Sequence, residues 1–162
     1  MSIAIGGFMG VGKSTAGRIL AERMDLPFVD LDEQIERSEG RSVASIFDRD
    51  GEEHFRTLEA DALKTALGES PVVLALGGGA LHRAENLDAL NGKATVLVLW
   101  MPLESLQARV DATSESRPLW RDADELFLAR EAGYRSAGTL VDVDGLNRSE
   151  VVDTLQRVLA CD

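Results

Sequence analysis

Gly7-Phe8-Met9-Gly10-Val11-Gly12-Lys13-Ser14 fits the pattern G-x-x-x-x-G-K-[ST]. Few eight-residue stretches restrict a chain so tightly, because this loop works only between a strand and a helix. Gly7 and Gly12 let the backbone turn where a Cβ would be disfavoured. The loop N–H groups then face inward and cradle phosphate oxygens, with the start of the next helix behind them. Lys13 brings a mobile positive charge for the outer phosphates, and Ser14 offers a hydroxyl to a magnesium ion. The flanks agree. Ile3–Gly6 is a short apolar run, and Ala16, Ile19, Leu20 and Met24 recur at helical spacing.

Strand-like and helical patterns then alternate along the chain. Strands are expected at Ile3–Gly6, Pro27–Asp30, Val72–Leu76, Thr95–Trp100 and Thr139–Val143. Helices are expected at Ser14–Met24, Leu31–Glu39, Val43–Asp48, Glu52–Leu67, Ala84–Leu90, Pro102–Val110, Ala123–Arg135 and Arg148–Leu159. Asn147 with Glu150 three residues later reads as a capping box for the last of these. Apolar strands separated by helices predict an α/β fold whose parallel sheet is covered on both faces. With 162 residues and no shift in composition, residues 1–162 form one expected domain. Asp111–Asp122 is polar and aperiodic, which suits a mobile lid at 111–122.

Charge narrows the partners. The net charge is −11, so a nucleic-acid partner is not expected, since a polyanion demands a basic footprint. An anionic small substrate would need a local cluster of arginines against the global field. The single cysteine, Cys161, cannot form an internal disulfide, which fits a reducing, cytoplasmic setting. No apolar run approaches the roughly 18 residues of a membrane span. His54 and His82 are the only histidines, so no His/Cys metal cluster can form.

Missing motifs discriminate among proteins with such a loop. None of Asn86, Asn91 or Asn147 begins the N-K-x-D of a guanine site. The strand-like run Val72–Leu76 ends in Gly77-Gly78-Gly79 and Thr95–Trp100 in Met-Pro, so neither ends in the acid of a motor-type ATPase. The best-placed acids are Asp30 and Asp32, just after the second strand, which points to a kinase of small molecules.

An ordered set of further motifs runs over nearly the whole chain: Phe28-Val29-Asp30-Leu31-Asp32, Ile46-Phe47, Gly51-Glu52-Glu53-His54-Phe55-Arg56, Gly77-Gly78-Gly79, Arg117-Pro118-Leu119, and Arg130 with Tyr134. In this the chain closely resembles the shikimate kinases. The resemblance implies transfer of the ATP γ-phosphoryl to the 3-hydroxyl of shikimate, on the way to chorismate and the aromatic amino acids. It also implies a three-layer α/β/α fold with strand order 2-3-1-4-5, a helical substrate-binding region at 31–67, and a monomer using ATP and Mg²⁺.

Site residues follow from the same resemblance. Gly10, Val11, Gly12, Lys13, Ser14 and Thr15 would hold the phosphates. Arg109 would stack on adenine, and Arg117 would close over the phosphates as the lid arginine. Ser14 and Asp30 would serve the metal. Arg56 and Arg130 would hold the shikimate carboxylate, for which planar guanidinium forks are suited. Asp32 would accept hydrogen bonds from ring hydroxyls and act as base, and Gly77, Gly78 and Gly79 would let the backbone approach the ring. Lys13, Asp32 and Arg117 are the expected catalytic residues. Glu59, three residues after Arg56, either orients it or forms a plain surface pair.

The chain departs from the family between Arg117 and Arg130, where it is shorter by about half a dozen residues, roughly one and a half helical turns. Ala132-Gly133-Tyr134 also stands where the family tends to have Pro-Leu or a similar pair before the tyrosine. Gly133 weakens a helix interior by about 1 kcal/mol. This leaves two alternatives: a related kinase, gluconate-type, with another acceptor, and a non-catalytic nucleotide-binding protein.

Overall fold

The computed structural model describes residues 1–68, 70–113 and 123–161. The order is β1 (Ser2–Gly7), α1 (Lys13–Met24), β2 (Phe28–Asp30), α2 (Leu31–Glu39), α3 (Val43–Asp50), α4 (Glu52–Ala66), β3 (Val73–Ala75), a 3-10 turn (Ala80–His82), α5 (Ala84–Leu90), β4 (Ala94–Trp100), α6 (Leu103–Thr113), α7 (Ala123–Ala137), β5 (Thr139–Asp142) and α8 (Arg148–Leu159). The five strands form one parallel sheet in the order β2-β3-β1-β4-β5.

Every residue of β1 is buried, as a strand covered on both faces must be. Ile5 pairs with Ala75 on one side and Leu97 on the other. The chain leaves β1 toward α1, whereas β3 and β4 flank it, so the loop after β1 opens where the sheet order reverses. Ligands of open α/β sheets bind at that carboxyl edge. Helices α1 and α8 pack together, and α5 and α7 lie against β4. Ile35, Ile46 and Phe55 make a second, smaller cluster joining α2, α3 and α4. Among the described residues no helix is long and apolar enough to cross a membrane.

Differences from the expected elements are small and physical. β3 is shorter than Val72–Leu76, yet its ladder extends one residue each way: Ile3 N–H donates to Val72 O and Leu76 N–H to Ile5 O, both 2.9 Å. Pro27 precedes β2 but still accepts from Val73 N–H at 2.9 Å, the one backbone bond a proline can make. α3 continues to Asp50 and stops at Gly51, whose φ is 84°. The capping box at Asn147 is complete. α6 runs on to Thr113, three residues past the expected Val110. Residues 114–122, and with them Arg117, lie outside the described residues.

Gly7 ties the sheet to the loop. Its φ is 133°, and a Cβ there would stand 2.4 Å from the backbone oxygen of Leu99. Gly7→Ala is therefore expected to destabilise the protein by at least about 1–3 kcal/mol. Urea unfolding checks this, and an unchanged midpoint would show that the loop relaxes freely.

Candidate active site

The loop between β1 and α1 ends in a bare helix N-terminus. The residue preceding α1 is Gly12, which offers no side-chain cap, and no acid occupies the first turn. By contrast Asp30, Ser42 and Asn147 cap α2, α3 and α8 with their side chains. Unpaired N–H groups and the positive end of the helix dipole make α1 the end suited to an anion. Gly10 and Gly12 take positive φ of 81° and 102°, which turns the loop back over this end. Lys13 Nζ curls onto Phe8 O at 3.0 Å.

Asp30 joins this loop to α2. One carboxylate oxygen accepts from the N–H groups of Asp32 (3.1 Å) and Glu33 (3.2 Å). The other accepts the Ser14 hydroxyl. Asp32, held in the first turn of α2, has an oxygen, Oδ1, that is buried with no partner among the described residues. Burial pushes its carboxyl up to about 6, reinforced by Asp30, Glu59 and Glu36 and opposed by Lys13. A carboxylate poised near neutrality, with an empty acceptor position, suits a general base.

Behind Asp32 lies a buried ion pair. Arg56 and Glu59, one turn apart on α4, meet at 2.9 Å. Glu59 is fully buried and Arg56 nearly so, so the plain surface pair is ruled out. Burial raises the Glu59 carboxyl, and Arg56 opposes that. The Arg56 guanidinium also lies 5.3 Å from the Phe55 ring centroid and 5.9 Å from that of Phe47. Side-chain ends crowd the glycine run. A Cβ on Gly79 would stand 2.3 Å from Arg56 Nη2, and one on Gly77 would stand 2.6 Å from Glu59 Oε1 and 3.1 Å from Asp32 Oδ1. Gly78 lies beneath Arg130, whose Nη1 would be 3.1 Å from a Cβ there.

Gly10, Val11, Gly12, Lys13, Ser14, Thr15, Asp30, Asp32, Gly78 and Arg109 thus line a single cavity of about 480 Å³, and Arg56, Gly77, Gly79 and Arg130 stand immediately behind it. Arg109 Nη1 reaches Val11 O at 3.4 Å, over the loop. Leu146, Arg148 and Val151 also line the cavity, and the sequence reading missed them. The capping box at Asn147 was the available signal, since it marks where α8 begins at the same sheet edge. The depth of Glu59 was missed as well, because an i, i+3 pairing says nothing about burial.

The raised pKa of Asp32 has a consequence for stability. Below its ordinary value of 3.8 the carboxyl is neutral in folded and unfolded chains alike, and costs nothing. As pH rises through about 6, folding must bury a charge, so stability falls across that window. Asp32→Asn is expected to raise Tm at pH 7.5, by up to about 3 kcal/mol of stability, with the gain vanishing near pH 4. Equal Tm at both pH values would show that Asp32 ionises freely.

The shikimate kinase family model matches residues 9–160. A bifunctional shikimate kinase/3-dehydroquinate synthase of Thermotoga maritima is 47% identical over 125 residues, covering 77% of this chain and 25% of that protein. The chain thus spans about a quarter of that relative's length. The shikimate kinase of Thermus thermophilus is 39% identical over 159 residues, covering 94% of this chain and 86% of that one. Among solved structures, shikimate kinase from Acinetobacter baumannii in complex with shikimate superposes with a TM-score of 0.83 at 32% identity, covering 99% of this chain and 91% of that chain. A family match along almost the whole sequence, joined to a phosphate loop facing a buried arginine and a poised aspartate, shows that the chain belongs to the shikimate kinase family.

Proposed function

We infer that this chain phosphorylates shikimate, transferring the γ-phosphoryl group of ATP to its 3-hydroxyl. The observation that carries the reading is the convergence, at one sheet edge, of an anion-binding loop with a separate cationic pair and a carboxylate between them. Shikimate presents a carboxylate and three ring hydroxyls. Arg56 and Arg130 hold the carboxylate through charge-assisted hydrogen bonds. Asp32 and the glycine backbone take the hydroxyls. In the transfer, the hydroxyl oxygen forms a bond to the γ-phosphorus while the bond from that phosphorus to the β,γ-bridging oxygen breaks. The hydroxyl proton passes to Asp32, and ADP leaves.

Loop N–H groups and Lys13 stabilise the charge that spreads over the phosphoryl oxygens. Arg117 would add to this on closure of the lid, within 111–122, which would also exclude water. Arg109 faces the nucleotide from α6. Ser14 and Asp30 form an all-oxygen donor pair. Mg²⁺ keeps several waters and leans on substrate phosphates, so two protein oxygens suffice, although the described residues hold no cluster of three potential ligands. When bound there, the ion would neutralise charge on the phosphates. Residues 31–67 serve as the substrate-holding region of a monomeric, cytoplasmic enzyme without nucleic-acid or membrane partners.

A coupled ADP-release assay with Mg-ATP tests this against shikimate, quinate, gluconate and no acceptor. Shikimate-dependent release at a usual kinase rate, about 1–100 s⁻¹, is expected. Release only with gluconate or quinate would mean a different acceptor, and nucleotide binding with no release would mean no catalysis. Lys13→Ala is expected to abolish transfer. Arg56→Ala is expected to raise KM for shikimate about a hundredfold with ATP binding intact.

The pH dependence has a defined sign. Asp32 accepts a proton only when ionised, so kcat/KM for shikimate is expected to fall on the acid side of about 6. Glu59→Gln removes a carboxylate that raises Asp32 and should move this limb to lower pH. A limb unmoved by Glu59→Gln and retained in Asp32→Glu at the wild-type position would assign it to another group.

A further inference from the structure

We propose that Tyr134 is a positioning residue for the acceptor, its hydroxyl tying Arg130 to the glycine loop so that both are set together. This rests on shikimate being the acceptor. Tyr134 is almost wholly buried and its hydroxyl donates to Gly78 O at 2.5 Å. The same hydroxyl is hydrogen-bonded by the side chain of Arg130, one turn earlier on α7, where positions four apart share a face. One oxygen therefore links the guanidinium to the loop.

The bond to Gly78 O matters because of peptide geometry. The unit joining Gly78 to Gly79 is planar and trans, so its C=O and N–H point in opposite directions. Fixing the oxygen toward α7 fixes the Gly79 N–H away from it. Flanked by glycines, this unit has little steric resistance to turning over, so the hydroxyl supplies what the sequence itself does not. Gly79 N–H donates to no backbone acceptor among the described residues and remains available to a ligand.

The ring of Tyr134 is held in turn. His82, on the 3-10 turn that follows the glycines, packs against it, the centroids 4.9 Å apart and the rings tilted by 48°. His82 fits there because Gly133 has no side chain: a Cβ would stand 2.4 Å from His82 Nδ1. Gly133, a helix-weakening residue by propensity, is thus the notch that lets α7 approach the loop.

Tyr134→Phe tests the proposal, since it keeps the ring, its burial and its contact with His82 and removes only the oxygen. KM for shikimate is expected to rise about tenfold, with kcat and KM for ATP within about twofold. Combined with Arg130→Ala, the two changes should raise KM by clearly less than the product of their separate effects, as for coupled neighbours. An unchanged KM for shikimate would overturn the proposal. So would a parallel loss in KM for ATP, which a merely structural defect produces, or effects that simply multiply. Should Tyr134→Phe not fold, His82→Ala, at an exposed position, is read the same way with an expected rise of about two- to threefold. Absence of shikimate-dependent turnover in the unsubstituted protein would instead sink the functional reading itself.

Discussion

A fully buried carboxylate, Glu59, is what allows this site to exist. Burying two charges costs more than a surface pair returns, and removing one partner leaves the other stranded. Stability alone would favour apolar residues at both positions together. The pair earns its place by presenting Arg56, nearly stripped of water, against the glycine run. A guanidinium so desolvated attracts a ligand carboxylate more strongly than one in solvent. Glu59 also raises the neighbouring Asp32, so one buried acid acts on both a guanidinium and a second carboxylate.

A chain of net charge −11 therefore builds two positive regions by local means. At the nucleotide end the positive potential comes mainly from backbone N–H groups and a helix dipole, which require no positively charged side chain. Beside the glycine run it comes from arginines held by partners: Arg56 by Glu59, and Arg130 by Tyr134. The parallel sheet brings the two ends together, because β1 and β3 are neighbours and their carboxyl ends carry the phosphate loop and the glycine run.

The elements of this fold were readable in the sequence because apolar periodicity and caps mark them locally. Leu31–Glu39, Ala84–Leu90 and Arg148–Leu159 have the expected bounds. The 3-10 turn at Ala80–His82 was not seen, since three residues behind a glycine run have no periodicity to show. α6 ran past its expected end at Val110 because absence of an apolar stripe does not end a helix. In the site, residue types and spacing pointed to the loop, to Asp32 and to Arg56. What they could not carry was depth and contact across elements: that Glu59 is buried, that Gly133 receives His82, and that Tyr134 reaches Gly78. Each depends on how two distant segments approach, and one of them, Gly133, looked like a defect until its neighbour was in place.

Asp30 sits between two functions. One of its oxygens holds the start of α2, and with it Asp32, while the other holds Ser14 of the phosphate loop. Any ligand that draws on Ser14 or Asp30 must renegotiate that shared carboxylate, and the helix bearing Asp32 feels the change. Whatever free energy passes this way is the same in both directions. If a filled nucleotide site alters the hold on the acceptor, a filled acceptor site must alter the hold on the nucleotide by an equal factor.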